Sequence, residues 1–187
     1  MRDVAAGRAR LLAELAAYEP SDARERAMAE RVRAFVAANE RCFERGLLFG
    51  HVTGSAWIVD RSGSAALLLH HRKLGKWLQP GGHADGDPDV RRVAYREAVE
   101  ESGLRSLTFA SESIYDVDAH DIPARGPEPA HVHYDLRFAF FADRDESPER
   151  NAESHAVAWV AFEAIESLGV DDSVRRLVAK TASLVAR

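Results

Sequence analysis

Cysteine occurs once in this 187-residue chain, at Cys42, so no intramolecular disulfide can form. That usage fits a reducing compartment, and the lone thiol reads as a buried filler rather than a nucleophile. Long apolar runs are missing too: no segment approaches the ~20 residues a membrane-crossing helix needs. The opening MRDVAAGRARLLAELAAYEP is rich in alanine and arginine, as transit peptides are. Asp3 and Glu14 interrupt it and it lacks a continuous apolar core, so it reads as an ordinary helix. A cytoplasmic location is expected. Lysine is scarce, at positions 73, 76 and 180 only, and the net charge is −5. An extended nucleic-acid surface dominated by phosphate contacts is therefore excluded, although a small basic site is compatible. Repeats and low-complexity tracts are absent.

What remains is a chain with 46% hydrophobic residues, enough for one well-buried domain with a helical extension and not for two full domains. The expected division places a helical extension at 1–45 and the main domain at 46–187, with room left for a homodimer. Two amphipathic stretches, about 3 to 17 and 22 to 41, are parted by Glu19-Pro20-Ser21, with Ser21 the expected N-cap. GHVTGSAWIVD and SAALLLHHR then flank Arg61-Ser62-Gly63 as a β-hairpin. LTFASESIYDVDAH and HVHYDLRFAFFAD predict further strands joined by the proline-bearing loop DIPARGPEPA, and AVAWVAF predicts a last short one. DDSVRRLVAKTASLVAR reads as a terminal helix capped by Asp171 or Asp172. Strands and helices mix without regular βαβ alternation, which favours an α+β or mixed-sheet α/β/α sandwich over a doubly wound fold.

Residues 80–104, PGGHADGDPDVRRVAYREAVEESGL, carry the strongest chemical signal. On a helix from about 88 to 102, Val90, Val93, Ala94 and Ala98 share one stripe. Glu97 and Glu101 fall in the middle of that stripe and Glu100 at its edge. A carboxylate moved out of water without a partner is strongly disfavoured, so three on an inward face call for a compensating cation. The oxygen-only donor set points to a hard ion, Mg²⁺ or Mn²⁺. The alternative is a surface helix with a solvated acidic patch. Pro88 suits the first helical position, Asp87 the N-cap and Gly103 the C-terminal stop. Gly81-Gly82 mark a tight turn at which backbone can approach a ligand.

This stretch resembles the Nudix box, GX5EX7REUXEEXGU, in which U is a bulky aliphatic residue. Arg96-Glu97, Glu100-Glu101, Gly103 and Leu104 match in order, and the thirteen residues between Gly82 and Arg96 are the number the pattern demands. Two positions depart from it. The pattern's first glutamate falls on Pro88, between Asp87 and Asp89, and its aliphatic position after Arg-Glu is Ala98. The resemblance spans roughly residues 50 to 165. Lys76-Trp77-Leu78-Gln79-Pro80 looks like the family's approach strand, and Glu153 resembles a downstream loop glutamate that supplies a further metal ligand in some members. The resemblance implies the sandwich fold, with the box helix packed on the sheet.

A second informative stretch is HVHYDLRF. Alternation puts His131, His133, Asp135 and Arg137 on one face and Val132, Tyr134, Leu136 and Phe138 on the other. The polar face could meet solvent, line a substrate cleft or, through His-x-His-x-Asp, bind a transition metal. The cleft is favoured beside an acidic helix, with Arg137 and a histidine against phosphate or base. His83 beside Gly82 is a similar candidate, whereas His70 and His71 are expected on the surface.

The resemblance implies hydrolysis of a nucleoside diphosphate linked to another group, giving a nucleoside monophosphate and a phosphorylated remainder. Glu97, Glu100 and Glu101 would hold Mg²⁺ or Mn²⁺, which neutralise the diphosphate and orient a water, while one glutamate takes the water's proton. Arg96 is expected to orient a glutamate through a charged hydrogen bond. Two rivals exist in the family. Prenyl diphosphate isomerases need a catalytic cysteine near the active-site strands, and Cys42 precedes the first strand. Non-catalytic nucleotide sensors carry degraded boxes and a DNA-binding appendage, and about 20 C-terminal residues are too few for one. No second motif singles out ADP-ribose, dinucleoside polyphosphates, coenzyme A or oxidised nucleotides.

Overall fold

The computed structural model describes residues 3–185. Two helices lead, α1 (Val4–Ala17) and α2 (Ala23–Ala38). The α2 cap is Asp22, whose side chain accepts from the Glu25 N–H, in place of the expected Ser21. Ser21 instead donates its N–H and hydroxyl to the Glu25 carboxylate, so both residues serve the helix start.

The expected hairpin follows as β1 (Gly50–Asp60) and β2 (Ala65–His71). Its turn is organised by Asp60, which accepts from the Ser64 and Ala65 N–H groups at 2.8 Å each. The two strands pair only near that turn, at Val59 and Ala66, and then splay. Into the gap run β3 (Lys76–Leu78), antiparallel to β2, and β4 (Gly81–His83), antiparallel to β1. At the bend between them the Pro80 carbonyl accepts from the Ala56 N–H at 2.9 Å.

The box helix is α3 (Val90–Ser102), ending at Gly103 in the left-handed conformation (φ 70°) as expected. Its start differs from expectation. Asp89 caps it by accepting from the Arg92 N–H, while Asp87 is buried and its carboxylate takes the Arg92 guanidinium at 2.9 and 2.5 Å.

Beyond α3 lie a two-residue strand β5 (Thr108–Phe109), then β6 (Asp116–Ile122), β7 (His131–Ala142) and β8 (Ser154–Ala161). A short helix α4 (Phe162–Ile165), one 3₁₀ turn and α5 (Asp172–Val185) complete the fold. Asp171 settles the α5 cap, accepting from the Ser173 and Val174 N–H groups. All these strands form one mixed sheet, in which β1 and β7 run parallel in register from Gly50 with Val132 to Asp60 with Ala142, while β6 and β8 pair antiparallel with β7 and β2.

Helices cover both faces. On one, α1, α2 and α3 pack over Val52, Ala56, Ile58, Leu136 and Phe138. On the other, Trp57, Val59, Leu68 and Ala139 meet Ile165, Val174 and Leu177, and the Trp57 indole donates to Thr181 Oγ1 at 2.9 Å. Every residue of β1 is buried, as a strand covered on both sides must be. This is the expected sandwich. Its helical extension shares a core with the box helix: a Cβ on Gly7 in α1 would lie 2.4 Å from Pro88. No helix among the described residues is long and apolar enough to cross a membrane.

Candidate active site

The glycine pair lies where strand and box helix crowd together. Gly82 sits opposite Gly54 of β1, and a Cβ there would come within 2.5 Å of the Glu97 carboxylate. Gly81 points the other way, where a Cβ would come within 2.2 Å of Ser55 Oγ. Close approach on both faces, and no unusual backbone angle, is what the two positions require.

Around them the box glutamates stand at three depths. Glu101 is buried, 5% exposed, and accepts the Gly81 N–H at 2.8 Å. Its carboxyl is pushed up to about 7, foremost by burial, with Glu97, Glu153 and Glu100 adding repulsion against the Gly81 hydrogen bond. Glu97 is half-buried and takes a 2.7 Å contact from the Arg96 guanidinium, whose same Nη2 donates to the His83 carbonyl at 2.9 Å. Burial raises the Glu97 carboxyl as well, Arg96 opposing it. Glu100 is exposed. Glu153, exposed on the approach to β8, is near enough for its charge to act on Glu101.

The carboxylate set fits a hard divalent cation by its donor chemistry, by the glycine cradle a Cβ would fill, and by the raised proton affinity at its buried members. Asp85, with φ 48°, adds its charge to Glu97 from the β4–α3 loop; the box pattern gave no reason to single it out. Of the aspartates flanking Pro88, where the pattern has its first glutamate, Asp87 engages Arg92 and Asp89 caps the helix. Cys42 is fully buried, and burial pushes its thiol up to about 11, so no reactive thiol stands at the site.

The polar face of β7 divides into two regions. Arg137 is 2% exposed and inserted among acids. Nε donates to Asp135 at 2.8 Å, Nη1 to Asp116 at 3.2 Å, and Nη2 to Asp118 at 2.9 Å and Ser173 at 3.3 Å. The expected phosphate-facing arginine is thus corrected to an internal ion-network member. The cause is α5, whose Ser173, Arg176 and Lys180 roof this part of the strand. His131 and His133 instead join His51 and His83, with ring centroids 4.9 to 5.0 Å from His51. Burial, before all else, lowers the proton affinity of His83, to about 4, and of His133, to about 2. His51 bears no mark in the sequence: only the parallel β1–β7 register sets it beside His133. His70 and His71 are half-buried rather than on the surface, His70 stacking on Trp77 at 5.3 Å.

The chain is thus a mixed-sheet sandwich that sets a carboxylate helix against a glycine pair. The chain belongs to the NUDIX domain family, whose model matches residues 51–180. It is accordingly a hydrolase acting on phosphoric anhydride bonds. Solved structures similar in fold include a C. elegans Ap4A hydrolase, with TM-score 0.58 and 19% identity over 72% of this chain and 97% of that one. The Nudix hydrolase RenU from M. smegmatis gives TM-score 0.55 and 21% identity, over 72% and 88%. The NUDIX domain of Shewanella oneidensis NrtR, complexed with ADP ribose, gives TM-score 0.50 and 14% identity, over 71% and 86%. No curated protein sequence matches the chain.

Proposed function

We propose that the protein is a Mg²⁺-dependent pyrophosphohydrolase, with Mn²⁺ able to substitute, cleaving a nucleoside diphosphate linked to a second moiety. The observation that carries this reading is the stack of Gly81-Gly82 against Glu97 and Glu101, which holds two inward carboxylates beside a strand with no side chain in the way. Nucleotide-derived ligands on similar folds, Ap4A hydrolase and the ADP ribose complex, support the substrate class.

Glu97, Glu100 and Glu101, with Glu153 from the opposite loop, are the residues that would hold the ion. Bound there, it would supply charge neutralisation of the diphosphate and a polarised water. The chain's own part is positional. Arg96 bridges Glu97 to the His83 carbonyl, tying the box helix to β4, and the Gly81 N–H fixes Glu101. One carboxylate of the three accepts the proton of the attacking water.

Glu100→Gln and Glu101→Gln are expected to lower turnover by orders of magnitude with the fold intact, since each removes a charge and adds no bulk. The assay is product release from a panel of nucleoside diphosphate derivatives with saturating Mg²⁺, products identified by mass. Near-parental rates in both variants would defeat the metal-site assignment, and tight binding without turnover across the panel would favour a sensor.

A further inference from the structure

Three imidazoles stand on the face of the sheet turned away from the box helix. His51 and His133 are direct neighbours in the parallel β1–β7 register, and His131 lies one alternation earlier, at the start of β7. Their ring centroids form a triangle with all three sides 5.0 Å, and one nitrogen from each lies within 4.8 Å of the other two. Among the described residues, no other group of three histidines, cysteines or acids closes to that distance.

The hydrogen bonds select which nitrogens are available. His131 Nδ1 lies 2.8 Å from the Pro129 carbonyl, which can only accept, so Nδ1 carries the hydrogen and Nε2 presents its lone pair. That Nε2 accepts from His133 Nε2 at 3.1 Å, so an ion bound between the two would take the place of the His133 hydrogen, which then moves to Nδ1. Two nitrogens on one tetrahedral zinc ion are separated by roughly 3.3 Å, given Zn–N bonds of about 2.0–2.1 Å. A ligating histidine whose second N–H is held by a backbone carbonyl is the usual supporting arrangement at such centres. His51 adds an independent observation: it is 2% exposed, and neither ring nitrogen has a hydrogen-bond partner. The Leu47 backbone is near enough to influence the ring, without hydrogen-bond geometry. A buried imidazole left so is costly unless something else satisfies it.

We propose that His51, His131 and His133 bind a zinc ion at a centre separate from the box carboxylates. All-nitrogen donors select a transition metal over Mg²⁺, and three histidines leave a fourth position for water or a substrate group. His83 borders the centre without completing it. Its Nδ1 accepts from Arg45 at 2.8 Å, so the hydrogen sits on Nε2, the atom facing inward. Asp135 is also committed elsewhere, accepting from Thr53, Ser55 and Arg137. The two centres are on opposite faces of β4: Gly82 looks toward Glu97, and His83 shares a register position with Thr53 on the histidine side. The zinc assignment replaces the cleft-lining role expected for His131 and His133.

The test uses the full chain without a histidine tag, stripped with a chelator and titrated with Zn²⁺ and with Co²⁺ in excess Mg²⁺. One equivalent should bind, Co²⁺ giving the visible absorption of a four-coordinate site, and metal analysis after dialysis should find zinc retained. His51→Asn and His133→Asn should each weaken zinc binding at least ~100-fold, and Glu100→Gln should leave it unchanged. Parent protein that binds neither ion overturns the proposal. So does parental affinity in a folded His51→Asn/His133→Asn double variant, or zinc lost with Glu100→Gln. If the asparagine variants do not fold, His131→Gln serves: unaltered Co²⁺ absorption there also overturns it. Hydrolysis supported by Mg²⁺ alone is read separately and bears only on the carboxylate site.

Discussion

Two adjacent glycines carry separable duties at the candidate site. At Gly82 an added Cβ would first meet the end of the Glu97 side chain, which can swing aside at small energetic cost but then leaves its place by Arg96. Gly82→Ala is therefore expected to cost about 1 kcal/mol or less in stability while turnover falls steeply. At Gly81 the same methyl would press on Ser55 Oγ, Cβ and Cα, the last being backbone of the central strand. Gly81→Ala should cost about 1–3 kcal/mol in denaturant unfolding, because β4 must move off β1. Equal effects of both substitutions on stability and turnover would show that Glu97 is not placed by this contact. Arg96 holds a glutamate and a carbonyl with one nitrogen.

Among the elements, β7 and α5 decide the fate of the polar face. The alternation of HVHYDLRF is real, but a helix lies where an open cleft was expected, so Arg137 is closed in with Asp116, Asp118 and Asp135. Its planar fork serves three carboxylates at once, which a lysine cannot do. Arg137→Lys should lower unfolding free energy by about 2–3 kcal/mol while leaving KM and the Mg²⁺ dependence of hydrolysis unchanged. A raised KM at undiminished stability would return Arg137 to the substrate. The loop before α3 shows a related division. Asp89 caps the helix and Asp87 clasps Arg92, while Pro88 packs where Gly7 of α1 allows it, so the leading helices brace the loop on which the box begins.

For the molecule as a whole, the leading helices are tied to the terminal one by buried charge. Glu25 of α2 is fully buried, with Lys180 of α5, Tyr18 and Ser21 around it, and Lys180 also reaches Asp116. Burial alone would raise the Glu25 carboxyl. Lys180, Ser21 and Tyr18 outweigh it and hold the group down from 4.5 to about 2. A folded-state value below the unfolded one means the stabilisation is complete above the unfolded value and is lost as pH falls from about 4.5 toward 2. Denaturant unfolding should show a loss on the order of 3 kcal/mol across that window. Glu25→Gln should be less stable at neutral pH and flatter in acid; an acid limb as steep as the parent's would place its origin elsewhere.

The sequence by itself determined what local periodicity and spacing can encode. The hairpin around Arg61-Ser62-Gly63, the helix that ends at Gly103, and the placing of Glu97 and Glu101 on its inward stripe all follow from residue order. The tertiary structure decided what depends on partners far apart in the chain. Alternation could show that His131, His133 and Arg137 share a face, but not that α5 would cover one end of it and β1 would bring His51 to the other. Nor could spacing assign Asp87 and Asp89, since either can cap a helix until the reach of Arg92 is known. A strand's pattern specifies two faces and is silent about which neighbours will cover them, because sheet register and helix docking are settled by the packing of the whole chain.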